Sequence, residues 1–321
     1  MEELRFWRNM NNLKKLLVML MVMTLTLVFV GCGTKNTSDN SNTPQVESNQ
    51  ETYPVDVKDS NGTVVTIEAE PQKIVSVAPN MTELVFALGD GDKLVGRTEY
   101  CDYPEEALNV ETIGTLYQPN IEAIIALEPD VVLVSTHFDD ENVTKLNELG
   151  ITVVSLYEEK EIYGVYTIIE TLGTILNRVE EANAMVNSMK ATFDEVAAAI
   201  EGQEKPSVYY VVGYGESGDF TAGGDTFVNG LITLAGGDNI AKDVSGWSYT
   251  LESLLEADPD IIIIGNGMAA DFMTAENYKD LTAVKENHVY EMDKNLLDRQ
   301  GYRNAEGVKE LAKIFYPEIV K

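Results

Sequence analysis

Residues 120–135 read NIEAIIALEPDVVLVS, and residues 250–265 read TLESLLEADPDIIIIG. The two stretches align at an offset of 130 without a gap. Glu122, Pro129 and Asp130 recur as Glu252, Pro259 and Asp260, and Val131 to Val134 recur as Ile261 to Ile264. Each copy carries the same physical instructions. Asn120 or Thr250 supplies a side-chain acceptor for a helix start. Apolar residues follow at helical spacing: Ile121, Ile124 and Ile125 in one copy, Leu251, Leu254 and Leu255 in the other. Pro-Asp ends the helix, and four consecutive apolar residues then read as a strand buried on both faces, the mark of a parallel sheet. The repeat therefore predicts two similar α/β lobes, each with a central, mostly parallel sheet.

The flanking sequence fits this frame. Val55–Val57 and Thr63–Ile67 bracket Asn61-Gly62, a strong hairpin signal. Lys73–Val77 reads as a strand leading into a helix capped by Asn80 and running to Leu88, with Glu83 completing a capping-box pattern. Thr152–Leu156 is a further strand. Residues 180–201 lack Gly and Pro and keep helical spacing, giving a rod of roughly 33 Å. Ser207–Val212, Asp260–Ile264 and His288–Met292 read as strands of the second lobe, and Ala305–Ile314 as the last helix. The expected division is an N-terminal lobe over 54–178, a bridging helix over 179–205 and a C-terminal lobe over 206–321, with a ligand cleft between the lobes.

The N-terminus is of another kind. Arg5, Arg8, Lys14 and Lys15 precede a short apolar run from Leu16 to Val30, which reads as a secretory signal. The run ends in Gly31-Cys32, which resembles a bacterial lipobox; Phe29 departs from its preferred Leu. Residues 1–31 are thus expected to be a lipoprotein signal peptide, and Cys32 the lipidated residue. Residues 32–53 are expected to be a polar, flexible tether. The formal net charge is −30, and the first 31 residues hold more cations than acids, so the remainder is more acidic still. Such a balance argues against nucleic acid and against a basic membrane-hugging surface. Cys101 stands alone once Cys32 is assigned, so no intramolecular disulfide is expected.

Symmetry also nominates binding residues. Tyr117 and Trp247 are 130 apart, each five residues before its repeat glutamate. Each precedes a helix near the carboxyl end of a sheet, where open α/β folds bind ligands. An aromatic from each lobe can sandwich a flat ligand. Tyr214, after the first strand of the second lobe, adds a third wall. Arg299 and Arg303 in RQGYR are candidates to neutralise ligand carboxylates or phosphate. His137 lies near the cleft as a possible axial metal ligand. With only two histidines, a resident zinc or manganese site is not expected. GYGESG and TAGGD lack the spacing of phosphate loops, and no nucleophile elbow occurs, so no enzyme activity and no cofactor are expected.

Four segments in order carry a wider resemblance: DSNGTVVTIEAEPQKIVSVAPNMTELVFALG from Asp59, YCDYPEEA from Tyr100, GTLYQPNIEAIIALEPDVVLV from Gly114, and WSYTLESLLEADPDIIII from Trp247. Together they resemble the periplasmic binding-protein family that serves ABC importers of cobalamin, haem and ferric siderophores. That resemblance implies two α/β lobes bridged by one long helix, and a protein that binds without transforming its ligand. It implies that Tyr100 stands where cobalamin-binding members place a pocket tyrosine. It further implies that Glu122 and Glu252 dock on arginines of the permease, although an acid in the first helical turn is also what the macrodipole favours. The implied partners are an ABC permease with its ATPase, a metal chelate and, through the lipid anchor, the outer face of the cell membrane. The protein itself is expected to be a monomer. Cobalamin-binding members use several tryptophans absent here, where Trp247 is the sole tryptophan beyond the leader, so corrinoid, ferric siderophore and haem all stay open.

Overall fold

The repeat forms the elements its residues dictate. In the computed structural model, which describes residues 52–158 and 160–321, the chain runs in order. The first part contains β1 (Val55–Lys58), β2 (Val64–Ile67), β3 (Ile74–Ser76), α1 (Pro79–Ala87), β4 (Leu94–Arg97), α2 (Ile121–Ala126), β5 (Val131–Val134), α3 (Asp140–Glu148), β6 (Thr152–Ser155) and α4 (Gly164–Ile175). The long helix α5 (Val179–Ala199) follows. The second part contains β7 (Ser207–Tyr210), β8 (Asp219–Phe220), α6 (Phe227–Leu234), β9 (Asp238–Asn239), β10 (Ser248–Tyr249), α7 (Leu251–Ala257), β11 (Ile261–Gly265), α8 (Ala269–Thr274), α9 (Thr282–Lys285), β12 (Val289–Met292), α10 (Asn295–Asp298) and α11 (Asn304–Phe315). The expected signal peptide, Cys32 and the tether up to residue 51 lie outside the described residues.

Two four-stranded sheets result, ordered β4-β3-β5-β6 and β9-β7-β11-β12, with every pairing parallel. Counted within its own sheet, each follows the order second, first, third, fourth. The internal repeat thus extends to topology. The β1–β2 hairpin packs beside β6 as a separate antiparallel pair.

The apolar strands show why no alternation was visible in the sequence. Val131 and Leu133 join a core that runs through both lobes and along α5, whereas Val132 and Val134 face a second cluster with Ile113 and Ile124. In the other lobe Ile261 and Ile263 join the shared core, and Ile262 and Ile264 join Leu254 and Phe272. Both faces of these two central strands are covered, so β5 and Ile261–Ile264 of β11 are apolar at every position. Helix α5 packs against α4 on one side and α6 and α11 on the other, bridging the lobes.

Pro-Asp has two jobs in each copy. The residue before proline is disfavoured in the right-handed helical region. Glu128 and Asp258 accordingly take φ of 49° and 38°, and the helices stop there. The following aspartate then clamps the start of the first strand of its parallel sheet, β3 or β7. Asp130 Oδ2 accepts from the backbone N–H groups of Gln72 and Lys73 at 2.7 and 2.8 Å. Asp260 Oδ2 accepts from Ser207 N and Oγ at 2.8 and 2.6 Å. Asp130→Ala and Asp260→Ala are each expected to lower stability by roughly 1–3 kcal/mol, since each leaves charge-assisted hydrogen bonds unmade. Denaturant melts of the two variants should give similar losses.

One expected start is corrected. Helix α1 is not capped by Asn80: Pro79 occupies its first turn and Ala78 stands at the cap position with no side-chain bond. Asn80 is buried inside the helix, and Glu83 makes no capping box.

Candidate functional site

Both sheets point their carboxyl ends at loops that carry the candidate side chains. In the first lobe, the stretch after β4 presents Tyr100, the loop entering α2 presents Tyr117, and the stretch after β5 presents His137. Their rings form a chain: Tyr100 to Tyr117 at 6.3 Å and Tyr117 to His137 at 5.1 Å, both edge-on. Tyr117 is 65% exposed and Tyr100 49%, unusual for large aromatics with no covering element. The Tyr117 loop is tight because Gly114 takes a φ of 97°, and a Cβ there would lie 2.9 Å from the Gln118 carbonyl. Gly114 pairs with Pro119 across the loop, and Asn120 then caps α2 through Ala123 N at 3.1 Å. Cys101 lies beneath, fully buried against Thr98 Oγ1 at 3.2 Å.

In the second lobe the corresponding loop presents Trp247, 45% exposed. It is stitched along residues 221–224: Thr221 N donates to Trp247 O, Gly223 N to Gly246 O and Gly224 N to Val244 O, at 2.8–2.9 Å. TAGGD therefore has a structural use. A Cβ on Gly224 would lie 1.7 Å from the Lys242 carbonyl, and one on Gly223 would lie 2.5 Å from two carbonyls. Asp225 holds the loop's far side, accepting from Ser245 Oγ and Gly246 N, and the Ser245 bond followed by the Gly246 bond keeps its carboxyl below the usual range. Thr250 caps α7 through Ser253 N at 3.1 Å, as Asn120 caps α2.

Tyr214 is half-buried. Its ring stands edge-on to Phe272 at 5.0 Å and to Tyr278 at 5.6 Å. The Tyr278 hydroxyl donates to Asp219 Oδ1 at 2.8 Å and accepts from Gly215 N at 3.0 Å, which fixes the Tyr214 turn. Burial pushes the Asp219 carboxyl up; Tyr278 offsets this in part, and the charge of Glu252 adds to it.

Arg299 and Arg303 do something the sequence reading missed. Arg299 Nη1 donates to Glu83 Oε1 and Asp102 Oδ1, both at 2.7 Å, and its Nη2 donates to Tyr100 O at 3.2 Å. Arg303 donates to Glu83 at 3.3 Å and Asp293 at 3.0 Å, and its guanidinium sits 4.0 Å over the Tyr103 ring. Gln300 completes the strap by accepting from Glu158 N at 2.9 Å and donating to Glu158 O. Both arginines are thus engaged by protein carboxylates, and four residues of the first lobe, Glu83, Tyr100, Asp102 and Tyr103, meet them. Burial pushes the Glu83 carboxyl up, against the pull of the two guanidiniums. A glutamate flanked by buried Met81, Thr82, Leu84 and Val85 was the available signal, because an acid on a covered helix needs cations opposite.

Glu122 and Glu252 occupy the same place in α2 and α7. Both are solvent-exposed second residues of a capped helix, each two residues before a fully buried Ile124 or Leu254. No group of three or more His, Cys, Asp or Glu converges as a metal set among the described residues. His137 Nδ1 lies 3.0 Å from Thr136 Oγ1, and its ring is exposed. An open groove of about 770 Å³ beside β2, α3 and β6 is lined by residues such as Val64, Thr66 and Val143 and contains none of the candidate aromatics.

Known proteins resemble this chain along most of its length. The profile of the family described as periplasmic binding protein matches residues 74–296. An uncharacterised ABC transporter substrate-binding lipoprotein of Bacillus subtilis, YvrC, is 34% identical over 91% of this chain and 94% of its own length. A cobalamin-binding protein of Halobacterium salinarum is 29% identical over 82% of this chain and 74% of its own. Among solved structures, the periplasmic heme-binding protein RhuT from Roseiflexus sp. RS-1, in apo form, superposes with a TM-score of 0.71. It covers 77% of this chain and 98% of its own at 22% identity, a likeness of fold.

Proposed function

The chain belongs to the periplasmic binding protein family, and on that premise we propose that it is the extracytoplasmic substrate-binding lipoprotein of an ABC importer, capturing a metal chelate with corrinoids as the leading class. The observation that carries this reading is the placement of exposed aromatics, Tyr100, Tyr117 and Trp247, past the carboxyl ends of two sheets of the same topology. Water-facing aromatics on firmly held loops suit a large ligand with broad apolar faces. Tyr214 lies past the carboxyl end of β7 and contributes a wall from the second lobe. The cobalamin-binding relative supports the corrinoid assignment. Ferric siderophores and haem are the competing ligands. The proposed lobes span 54–178 and 206–321, joined through 179–205, and Cys32 is the proposed lipid anchor.

Calorimetric titration with cyanocobalamin, a ferric siderophore panel and haem tests the reading. One chelate is expected to bind, and Tyr117→Ala is expected to weaken it about tenfold, the scale of one buried aromatic contact. If no chelate binds, the ligand class is wrong.

Glu122 and Glu252 are proposed to dock on arginines of the permease, one from each lobe. Their equivalence across the repeat is what a pseudo-symmetric partner requires. Glu122→Lys and Glu252→Lys are each expected to cut cellular uptake of the chelate at least about tenfold while leaving its affinity for the isolated protein within about twofold. Equal uptake by both variants and the parent would remove the docking role.

A further inference from the structure

We infer that the binding mouth selects chelates by charge, accepting neutral or cationic complexes and rejecting anionic ones. This rests on the binding role proposed above and adds the electrostatic class of the ligand.

The cations of the loops past the carboxyl strand ends are already engaged. Arg299 is shared between Glu83 and Asp102, and Arg303 between Glu83 and Asp293. Both guanidiniums are nearly covered, with side chains 12% and 11% exposed, so neither offers an open face to a ligand. Lys242 pairs with Asp238 at 2.6 Å. Lys294 lies over the Tyr210 ring at 5.3 Å and within 3.9 Å of Asp298. Lys160 acts on Asp225, whose carboxyl it helps to keep low.

The acids of the same loops are in excess and face water. Glu99, Asp102 and Asp139 flank the Tyr100–Tyr117–His137 chain, Glu216 and Asp243 lie in the loops around Tyr214 and Trp247, and Asp271 lies in the first turn of α8. Of these, Asp102 alone has an ion-pair partner among the described residues, and that partner is shared with Glu83. The aromatics therefore sit in a negative field, the two nearby guanidiniums being covered and held by carboxylates and Lys242 being paired with Asp238. At physiological ionic strength such a field reaches about 8 Å, enough to span the mouth around a ligand seated on these rings. It favours approach of cations and opposes anions. A built anion receiver would show a guanidinium with free donors aimed outward; here the donors are spent on the strap.

The experiment is calorimetry on the full chain in detergent with four probes: ferrioxamine B, a cationic hydroxamate chelate; cyanocobalamin, which is neutral; ferric enterobactin, an anionic catecholate; and haem, with its two propionates. The expected order places ferrioxamine B or cyanocobalamin tightest, with both anionic probes at least about tenfold weaker. Raising salt from about 0.05 to about 0.5 M should narrow that gap. Asp102→Asn, an exposed change that leaves the buried Glu83 pairs in place, should strengthen the anionic probes several-fold by removing one water-facing negative charge beside Tyr100 and leaving more of the Arg299 charge uncompensated. An anionic probe binding as tightly as the other two overturns the charge rule and leaves the binding role standing. Binding of none of the four overturns both.

Discussion

Glu83→Ala is expected to destabilise the protein by roughly 3 kcal/mol, the lower end of the cost of breaking a buried ion pair from one side. The lower end applies because Arg299 keeps Asp102 and Arg303 keeps Asp293 when the glutamate is gone. Both arginines lie on the strap of residues 299–303, which meets the first lobe through Glu83, Asp102, the Tyr100 carbonyl and Glu158. Asn304 braces it from behind, accepting from Gly301 N and donating to the Leu296 and Arg299 carbonyls. Removing the buried carboxylate therefore loosens the join between lobes as well as leaving charge poorly compensated. Asp102→Ala is the internal comparison. Its side chain is 55% exposed, so solvent replaces what the substitution removes, and a loss under about 1 kcal/mol is expected. Equilibrium denaturation of the two variants checks the contrast. Equal effects would mean that burial of Glu83 has no energetic consequence.

Gly224→Val is expected to abolish ligand binding or cost several-fold more affinity than any single aromatic truncation. The Lys242 carbonyl stands 1.7 Å from where the Cβ would go, and backbone cannot step aside as a flexible side chain can. The loop through Val244, Gly246 and Trp247 must then detach from residues 221–224, losing hydrogen bonds along its length. Overpacking of this kind costs about 1–3 kcal/mol. The affinity loss exceeds the stability loss because the displaced loop carries Trp247. Gly246→Ala is the comparison: its φ is 77° but nothing lies within 4 Å, so strain alone acts there. Thermal unfolding beside calorimetry separates the two readouts.

What the sequence disclosed, and what it hid, follows the range of the interactions. The two helix–strand units were legible because cap, apolar stripe, Pro-Asp and strand lie within sixteen residues and occur twice. The long helix was legible because 21 residues without Gly or Pro leave few other choices. Helices α3 and α6 escaped notice although Asp139 and Thr226 cap them, because neither sits in a repeat that would double the signal. The β8–β10 pair spans two residues per strand, too short for any period to show. The start of α1 was misplaced because Asn80 and Glu83 have capping-box spacing, yet Pro79 moves the first turn ahead of them. The role of Arg299 and Arg303 depends on Glu83, 216 residues away from Arg299, and no local pattern reports such a contact. Candidate aromatics were named from symmetry, but the glycine-braced loops that hold them appear only when the backbone is seen.

The most direct test uses Trp247 as its own reporter. Residues 52–321 contain this single tryptophan, so its fluorescence reads the second-lobe loop alone. The fragment is titrated with cyanocobalamin, ferric siderophores and haem, with inner-filter correction. Saturable quenching by one of them, with a Kd below about 1 μM, is expected. Emission unchanged by every chelate, in protein shown to be folded, would contradict it and remove metal chelates as the cargo.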